Sequence, residues 1–124
     1  LPDELDAEVD RILQDGNFTC NFELYQLRSR DLHTLNPTSW LNDSVIDAYL
    51  SLISSTTPPD ITIVHTFVYA AIWSARSSGR RMRENDYPNL MKSRLILMPI
   101  NIGNTHWIAG AINLTTATLT LYDS

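Results

Sequence analysis

The spacing of apolar residues predicts three helices in the first two thirds of the chain. Apolar positions recur every three or four residues over 3–14, over a segment ending near Ser54, and over 66–77. This is the period of an amphipathic helix. Ser39 or Asn42 is positioned to cap the second helix. The expected buried faces are Leu41, Val45, Tyr49, Leu52 and Ile53 in the second helix, and Phe67, Ala70, Ala71 and Ser74 in the third.

Strand patterns dominate the last third of the chain. Residues 95–100 form a nearly continuous apolar run, which is typical of a central strand buried on both faces. Residues 106–113 and 117–122 are separated by a short loop and predict a hairpin. The remaining segments are short strands at 22–28 and 61–64 and an exposed loop or short helix at 78–92. Because helices come first and strands last, we expect an α+β fold with an antiparallel or mixed sheet at the C-terminal end.

Length, charge and cysteine content exclude several function classes. At 124 residues and 14.1 kDa, the chain fits a single domain. Its net charge of −5 is unsuited to a nucleic-acid backbone, so we expect no nucleic-acid partner. No apolar run approaches the ~20 residues of a membrane span, so we expect no membrane association. The single cysteine, Cys20, excludes an internal disulfide framework and a Cys-rich zinc site.

The final hairpin contains a candidate pair of catalytic side chains. A register that pairs Ile108 with Leu121 places apolar residues opposite one another, and it also sets His106 opposite Asp123. Such neighbours lie ~5 Å apart at Cβ, within reach of an imidazole–carboxylate hydrogen bond. The pair is either a general base with its orienting carboxylate or a solvated contact at a strand end. Spacing alone favours the solvated contact, because short motifs match often by chance.

Two tryptophans have two possible roles. Trp40 precedes a helix start, and Trp107 follows the candidate base. Tryptophan usually packs in a core or an interface. Two such rings could instead hold an extended Gly-Gly segment, which has no side chain to bind. The spacing does not choose between these roles.

Five short segments together point to a known family. They are Leu35 to Leu50 with Trp-Leu-Asn-Asp at 40–43, Thr66 to Tyr69, Leu97 to Ile100, His106-Trp107, and Tyr122-Asp123-Ser124. In order and spacing, over about residues 23–124, they resemble the Ulp/sentrin-specific cysteine proteases, which process and remove SUMO and related ubiquitin-like modifiers. The combination is specific, whereas each segment alone is weak.

The resemblance implies an incomplete papain-like fold and a cysteine-type peptidase that cleaves after a C-terminal Gly-Gly. It implies that His106 is the general base and Asp123 its orienting carboxylate. Trp40 and Trp107 would line the tunnel for the diglycine tail, and Asp43 would contact the modifier near that tail. The implied partner is SUMO or another ubiquitin-like modifier, with no cofactor or metal, at an intracellular address, nuclear or cytoplasmic.

The chain departs from the family pattern in one important respect. The family's nucleophilic cysteine and oxyanion-hole glutamine lie downstream of the Tyr-Asp-Ser segment, whereas this sequence stops at Ser124. Cys20 matches no catalytic position and is expected to be a small, half-buried hydrophobic residue. We therefore expect residues 1–124 to be the N-terminal portion of a catalytic domain whose C-terminal half is missing. The alternatives are a catalytically dead module that binds a ubiquitin-like modifier, and a degenerate remnant.

Overall fold

A computed structural model describes residues 3–81, 87 and 89–123. The chain divides into two compact units, Leu1–Ser51 and Leu52–Ser124, and each is described by itself below. Helices come first and a mixed sheet follows, so the expectation of an α+β fold is confirmed. Positions 82–86 and 88 of the predicted segment 78–92 lie outside the described residues; the end of the segment forms a short 3-10 helix, Leu90–Lys92.

The first unit combines helices with a small hairpin. Its elements are helix α1 (Asp3–Gln14), strands β1 (Thr19–Phe22) and β2 (Tyr25–Arg28), helix α2 (Ser29–Leu32), a 3-10 turn (His33–Leu35) and the start of helix α3 (Asp43–Ser54). The single strand predicted at 22–28 is wrong, because the chain reverses within it. Glu23 makes this turn with a φ of 51°, although turns of this kind usually carry glycine or asparagine.

The second unit contains a sheet with the order β3-β4-β5-β6 among the described residues. Its elements are strand β3 (Ile61–Ile63), helix α4 (Thr66–Ser77) and strands β4 (Leu95–Ile102), β5 (His106–Asn113) and β6 (Thr118–Tyr122). Strands β3 and β4 are parallel, and the other neighbours are antiparallel. Arg94 binds the Asp60 carboxylate at 2.7 Å beside β3 and holds the pKa of that carboxyl below its usual value.

One face of the sheet carries the core of this unit. On the central strand β4, alternate residues are buried and their neighbours are half-buried, so the strand is not fully buried on both faces as predicted. Helix α4 contributes Val68 to the same cluster. The buried members of the cluster are Val64, Val68, Ile96, Met98, Ile100 and Ile108.

The helix bounds match the sequence prediction, but the buried faces do not. In α4 the buried residues are Val68 and Ala75, whereas Phe67 is exposed. In α3, Val45 is buried as expected, but Tyr49, Leu52 and Ile53 are exposed. Burial in α3 instead includes the polar residues Asp47 and Ser51.

Tyr25 of the β1–β2 hairpin accounts for these two polar positions. Its hydroxyl bonds Ser51 and lies near the charge of Asp47. Burial is the main cause of the raised pKa of Tyr25; the Asp47 charge adds to it, and the Ser51 hydrogen bond partly offsets it. The side of α3 that faces this tyrosine is therefore partly polar.

No helix in the described part of the chain is both long and apolar enough to cross a bilayer.

Candidate active site

Strands β5 and β6 position the candidate catalytic pair. They pair antiparallel with Ala109 opposite Tyr122 and Gly110 opposite Leu121. The predicted register, with Ile108 opposite Leu121, is therefore wrong by two residues. A shift of two keeps every side chain on the same face of the sheet, since the side-chain period of a strand is two. His106 and Asp123 consequently still share a face, as diagonal neighbours instead of direct ones.

The turn between these strands explains the shift. The Asn113 side-chain oxygen accepts hydrogen bonds from the backbone N–H groups of Thr115 (3.0 Å) and Thr116 (3.2 Å). Ala117 adopts a positive φ of 52°, and Asn113 then pairs with Thr118. The turn is therefore one residue longer than the Leu-Thr-Thr loop predicted from the sequence.

His106 and Asp123 contact each other directly. His106 Nε2 is hydrogen-bonded to Asp123 Oδ1, and the same atoms form an ion pair when the imidazole is protonated. The two side chains are 34% and 64% exposed, so reactants can reach them. A carboxylate at Nε2 favours the tautomer with its proton there and stabilises the imidazolium. Nδ1 then becomes the nitrogen suited to take a proton from a nucleophile.

Gly110 lets the strands beneath this pair approach closely. A Cβ atom at Gly110 would lie 3.0 Å from Ile100 Cδ1 and 3.2 Å from Met98 Cγ. It would also lie 3.7 Å from Leu121 Cδ2 on β6. The missing side chain leaves space for the apolar residues that support the His106 face of the hairpin.

Trp107 lies on the other face of β5, because successive side chains of a strand alternate. It is half-buried, and its strand partner on β4 is Asn101. The side-chain oxygen of Asn101 is buried and has no hydrogen-bond partner among the residues that the structure describes.

Trp40 and Asp43 belong to the first unit. Trp40 lies in the loop before α3 and is 66% exposed, which argues against core packing for its ring. Asp43 is the first residue of α3, is exposed, and accepts a hydrogen bond from the Ser44 N–H at 3.1 Å.

Asn42 caps helix α3, so one of the two predicted caps is confirmed. Its side-chain oxygen accepts a hydrogen bond from the Val45 N–H at 3.0 Å. Its side-chain N–H donates to the buried carboxylate of Asp31 at 2.9 Å. Sequence reasoning missed Asp31, because its partner Asn42 lies eleven residues away along the chain.

Cys20 is exposed on β1, which contradicts the expectation of a half-buried hydrophobic residue. Strand β1 belongs to a two-stranded sheet, and Thr19, Cys20 and Asn21 are all exposed. The thiol makes a long contact, 3.8 Å, with the Asn21 carbonyl oxygen. Across the described residues, no group of three or more His, Cys, Asp or Glu side chains is placed to hold a metal ion.

The mixed sheet and the His–Asp pair at the end of its hairpin have the features of a hydrolase of the papain-like α+β class. The Ulp1 protease family, C-terminal catalytic domain, matches residues 39–124. The chain belongs to this family of cysteine proteases, and the family prediction from the sequence is confirmed.

Relatives and solved structures agree with this assignment. Ubiquitin-like-specific protease 1 of Saccharomyces cerevisiae is 29% identical over 127 residues, covering 100% of this chain and 20% of that protein. A sentrin-specific protease of Caenorhabditis elegans is 33% identical over 135 residues, covering 100% of this chain and 19% of that protein. A structure of the SUMO protease Ulp1 with its catalytic cysteine oxidised to a sulfenic acid matches with a TM-score of 0.83 and 27% identity. That match covers 100% of this chain and 57% of the other, so the fold prediction is confirmed.

The chain spans about a fifth of the length of the curated relatives it matches.

Proposed function

We propose that this chain supplies the general base and its carboxylate to a cysteine protease that cleaves after the C-terminal Gly-Gly of SUMO or another ubiquitin-like modifier. The contact between His106 and Asp123 carries the proposal, together with membership of the Ulp1 family. The names of the relatives support the substrate class, since they are ubiquitin-like-specific and sentrin-specific proteases. A further Ulp1 protease domain, 24% identical, was solved in complex with Smt3, the yeast orthologue of SUMO. The proposal includes an intracellular location, nuclear or cytoplasmic, which the family resemblance implies.

The proposed chemistry assigns one role to each member of the pair. His106 Nδ1 takes the proton of a cysteine thiol, and the thiolate attacks the carbonyl carbon of the terminal glycine. The leaving amine receives that proton from the imidazolium as the thioester forms. Water then attacks the thioester carbonyl and gives a proton to His106. The C–S bond breaks, the modifier carboxylate is released, and the cysteine thiolate takes the proton back from the imidazolium. Throughout, the Asp123 carboxylate accepts a hydrogen bond from the Nε2–H of His106 and stabilises the imidazolium.

Three further residues are proposed to bind the modifier. Trp40 and Trp107 contact the diglycine tail, and Asp43 contacts the modifier near that tail. The exposure of Trp40 and Asp43 is consistent with these roles. A flat indole beside a glycine backbone buries apolar surface without requiring a substrate side chain.

The attacking cysteine is proposed to lie outside residues 1–124. Cys20 is the single cysteine of this sequence, and it lies on β1 at a position that matches no catalytic residue of the family. We propose that these residues are the N-terminal portion of a catalytic domain, and that the C-terminal half supplies the nucleophile. The term "extended protein" denotes the chain together with that half.

Hydrolysis of a SUMO C-terminal fluorogenic amide by the extended protein tests this proposal. We expect turnover of the SUMO substrate, and a W40A variant should raise KM because it removes an aromatic contact with the tail. W73A is the matched control, since Trp73 is also exposed, at 61%, but lies on α4. The proposal would be contradicted if the extended protein failed to hydrolyse amides of SUMO and of every other ubiquitin-like modifier tested.

The second candidate is a binding module without catalysis. The exposure of Trp40 and Asp43 supports it, because binding of a modifier tail needs accessible side chains and no nucleophile. Titration of the 124-residue chain with SUMO separates the two candidates. Binding together with an inactive extended protein would support the module, whereas turnover by the extended protein excludes it.

A further inference from the structure

We propose that Asp31 is a positioning residue for the modifier-binding segment Trp40–Asp43, acting through the side chain of Asn42. This inference rests on the proposed function, because the binding role of Trp40 and Asp43 is itself part of that proposal. Asp31 does not touch substrate in this scheme and acts only by placing the segment. The argument uses only contacts within the first unit of the chain.

The two carboxylate oxygens of Asp31 have different partners. Oδ2 accepts a hydrogen bond from the Arg28 N–H at 2.9 Å, which starts helix α2. Oδ1 accepts one from the Asn42 side-chain N–H at 2.9 Å, eleven residues along the chain. The exposed Arg30 guanidinium is 3.9 Å from the same Oδ1. Asp31 is only 6% exposed, so these contacts replace most of its hydration.

A second link holds the backbone of Asn42. The Thr34 hydroxyl donates to the Asp31 carbonyl oxygen at 2.6 Å. The same hydroxyl accepts the Asn42 backbone N–H at 3.4 Å. Both the backbone and the side chain of Asn42 are therefore tied to the turn that follows Asp31.

This network fixes the orientation of the Asn42 amide. The NH2 group is directed to Asp31, so the oxygen is directed to the Val45 N–H and caps helix α3. Trp40 lies two residues before Asn42, and Asp43 follows it directly. Holding Asn42 in place therefore restricts the chain between an exposed indole and an exposed carboxylate.

The arrangement of donors and acceptors allows an exchange test. D31N places an NH2 group against the Asn42 NH2 group, so either the link to Asn42 or the bond from Arg28 is lost. N42D keeps the cap on Val45 but places two carboxylates against each other. The double variant D31N/N42D restores all three hydrogen bonds with the roles of the two residues exchanged. Aspartate also caps helices about as well as asparagine.

Kinetics of the extended protein on the SUMO amide substrate test the inference. We expect D31N and N42D each to raise KM about five- to tenfold, with kcat within about twofold of wild type, because the binding segment moves while the His–Asp pair is unaltered. D31N/N42D should recover KM to within about twofold of wild type. D6N changes the same charge on the exposed surface of α1 and should leave both parameters unchanged. Assays are run below the lowest melting midpoint of the set.

Several outcomes would overturn the inference. A role confined to stability would lower the active fraction, so kcat would fall in proportion to folded protein while KM stayed constant. Failure of the double variant to recover KM while it melts like wild type would also overturn it. If D31N does not fold, T34V carries the test: a raised KM supports the inference and an unchanged KM refutes it. A wild-type protein without turnover would refute the proposed function itself, which separates the two failures.

Discussion

At the residue scale, the pairing of His106 with Asp123 is the feature on which the proposed chemistry depends. The Asp123 carboxylate contacts Nε2 of His106, and the proposed chemistry therefore uses Nδ1 for proton transfer. Both side chains are on the same face as Gly110 and Leu121, so the apolar packing of the hairpin supports their approach. The catalytic roles of the two residues are the part of the proposal that substitution tests best.

Substitution of Asp123 distinguishes orientation from charge. The side-chain oxygen of an asparagine can still accept a hydrogen bond from the Nε2–H of His106, so D123N should keep the tautomer but lose the charge that stabilises the imidazolium. D123A loses both contributions and should lower kcat of the extended protein roughly a hundredfold or more, with D123N in between. Steady-state kinetics on the SUMO amide substrate compare kcat of wild type, D123N and D123A. Equal kcat values for wild type and D123A would contradict the assigned role.

At the element scale, the β5–β6 hairpin shows why the site tolerates an error in predicted register. Asn113 and Ala117 form a longer turn than the sequence suggested, and the pairing shifted by two residues. A shift of one would have separated His106 from Asp123 onto opposite faces. Alternation of side chains along the strands was therefore sufficient to predict the pair, although the register was wrong.

Gly110 provides the stability test for this hairpin. The Cβ of G110A would press on Ile100 and Met98 at 3.0 and 3.2 Å, so we expect a loss of about 1 kcal/mol in the free energy of unfolding. G16A is the matched control, since a Cβ at Gly16 meets no atom within 4 Å. Denaturant unfolding of both variants of the extended protein measures the difference. A G110A variant as stable as G16A would show that β4 and β5 are not packed as described.

The helices show how much of the fold the sequence predicts. Periodicity and capping residues predicted the bounds of α1, α3 and α4, because these signals are local. The buried side of α3 was predicted wrongly, since it includes the polar residues Asp47 and Ser51 beside the hydroxyl of Tyr25. That tyrosine begins β2 in a hairpin whose turn residue, Glu23, carries no glycine or asparagine signal.

In the candidate site, too, local motifs were recognisable in the sequence and longer-range contacts were not. The motifs at 40–43 and 106–107, through the family resemblance, gave Trp40, Asp43, His106 and Trp107 as candidates, and their roles stay predictions. Asp31 was missed because its importance lies in a contact eleven residues away, which no local pattern reveals. The polar capping network of α3 is visible only when the chain is folded.

At the scale of the whole molecule, a cysteine protease needs a catalytic cysteine, and the single cysteine of residues 1–124 does not match the catalytic position of the family. The chain belongs to a family of cysteine proteases, yet its single cysteine lies on β1 in the first unit. We resolve this by placing the nucleophile beyond residues 1–124. This chain covers 57% of the solved Ulp1 chain.

Labelling with a SUMO probe that carries an electrophile in place of its terminal carboxylate tests the central claim most directly. We predict that the extended protein forms a covalent adduct, that C20S reacts at the wild-type rate, and that H106A reacts at least roughly a hundredfold more slowly. Peptide mass spectrometry should place the adduct on a cysteine outside residues 1–124. An adduct on Cys20, or an H106A variant that reacts like wild type, would contradict the account.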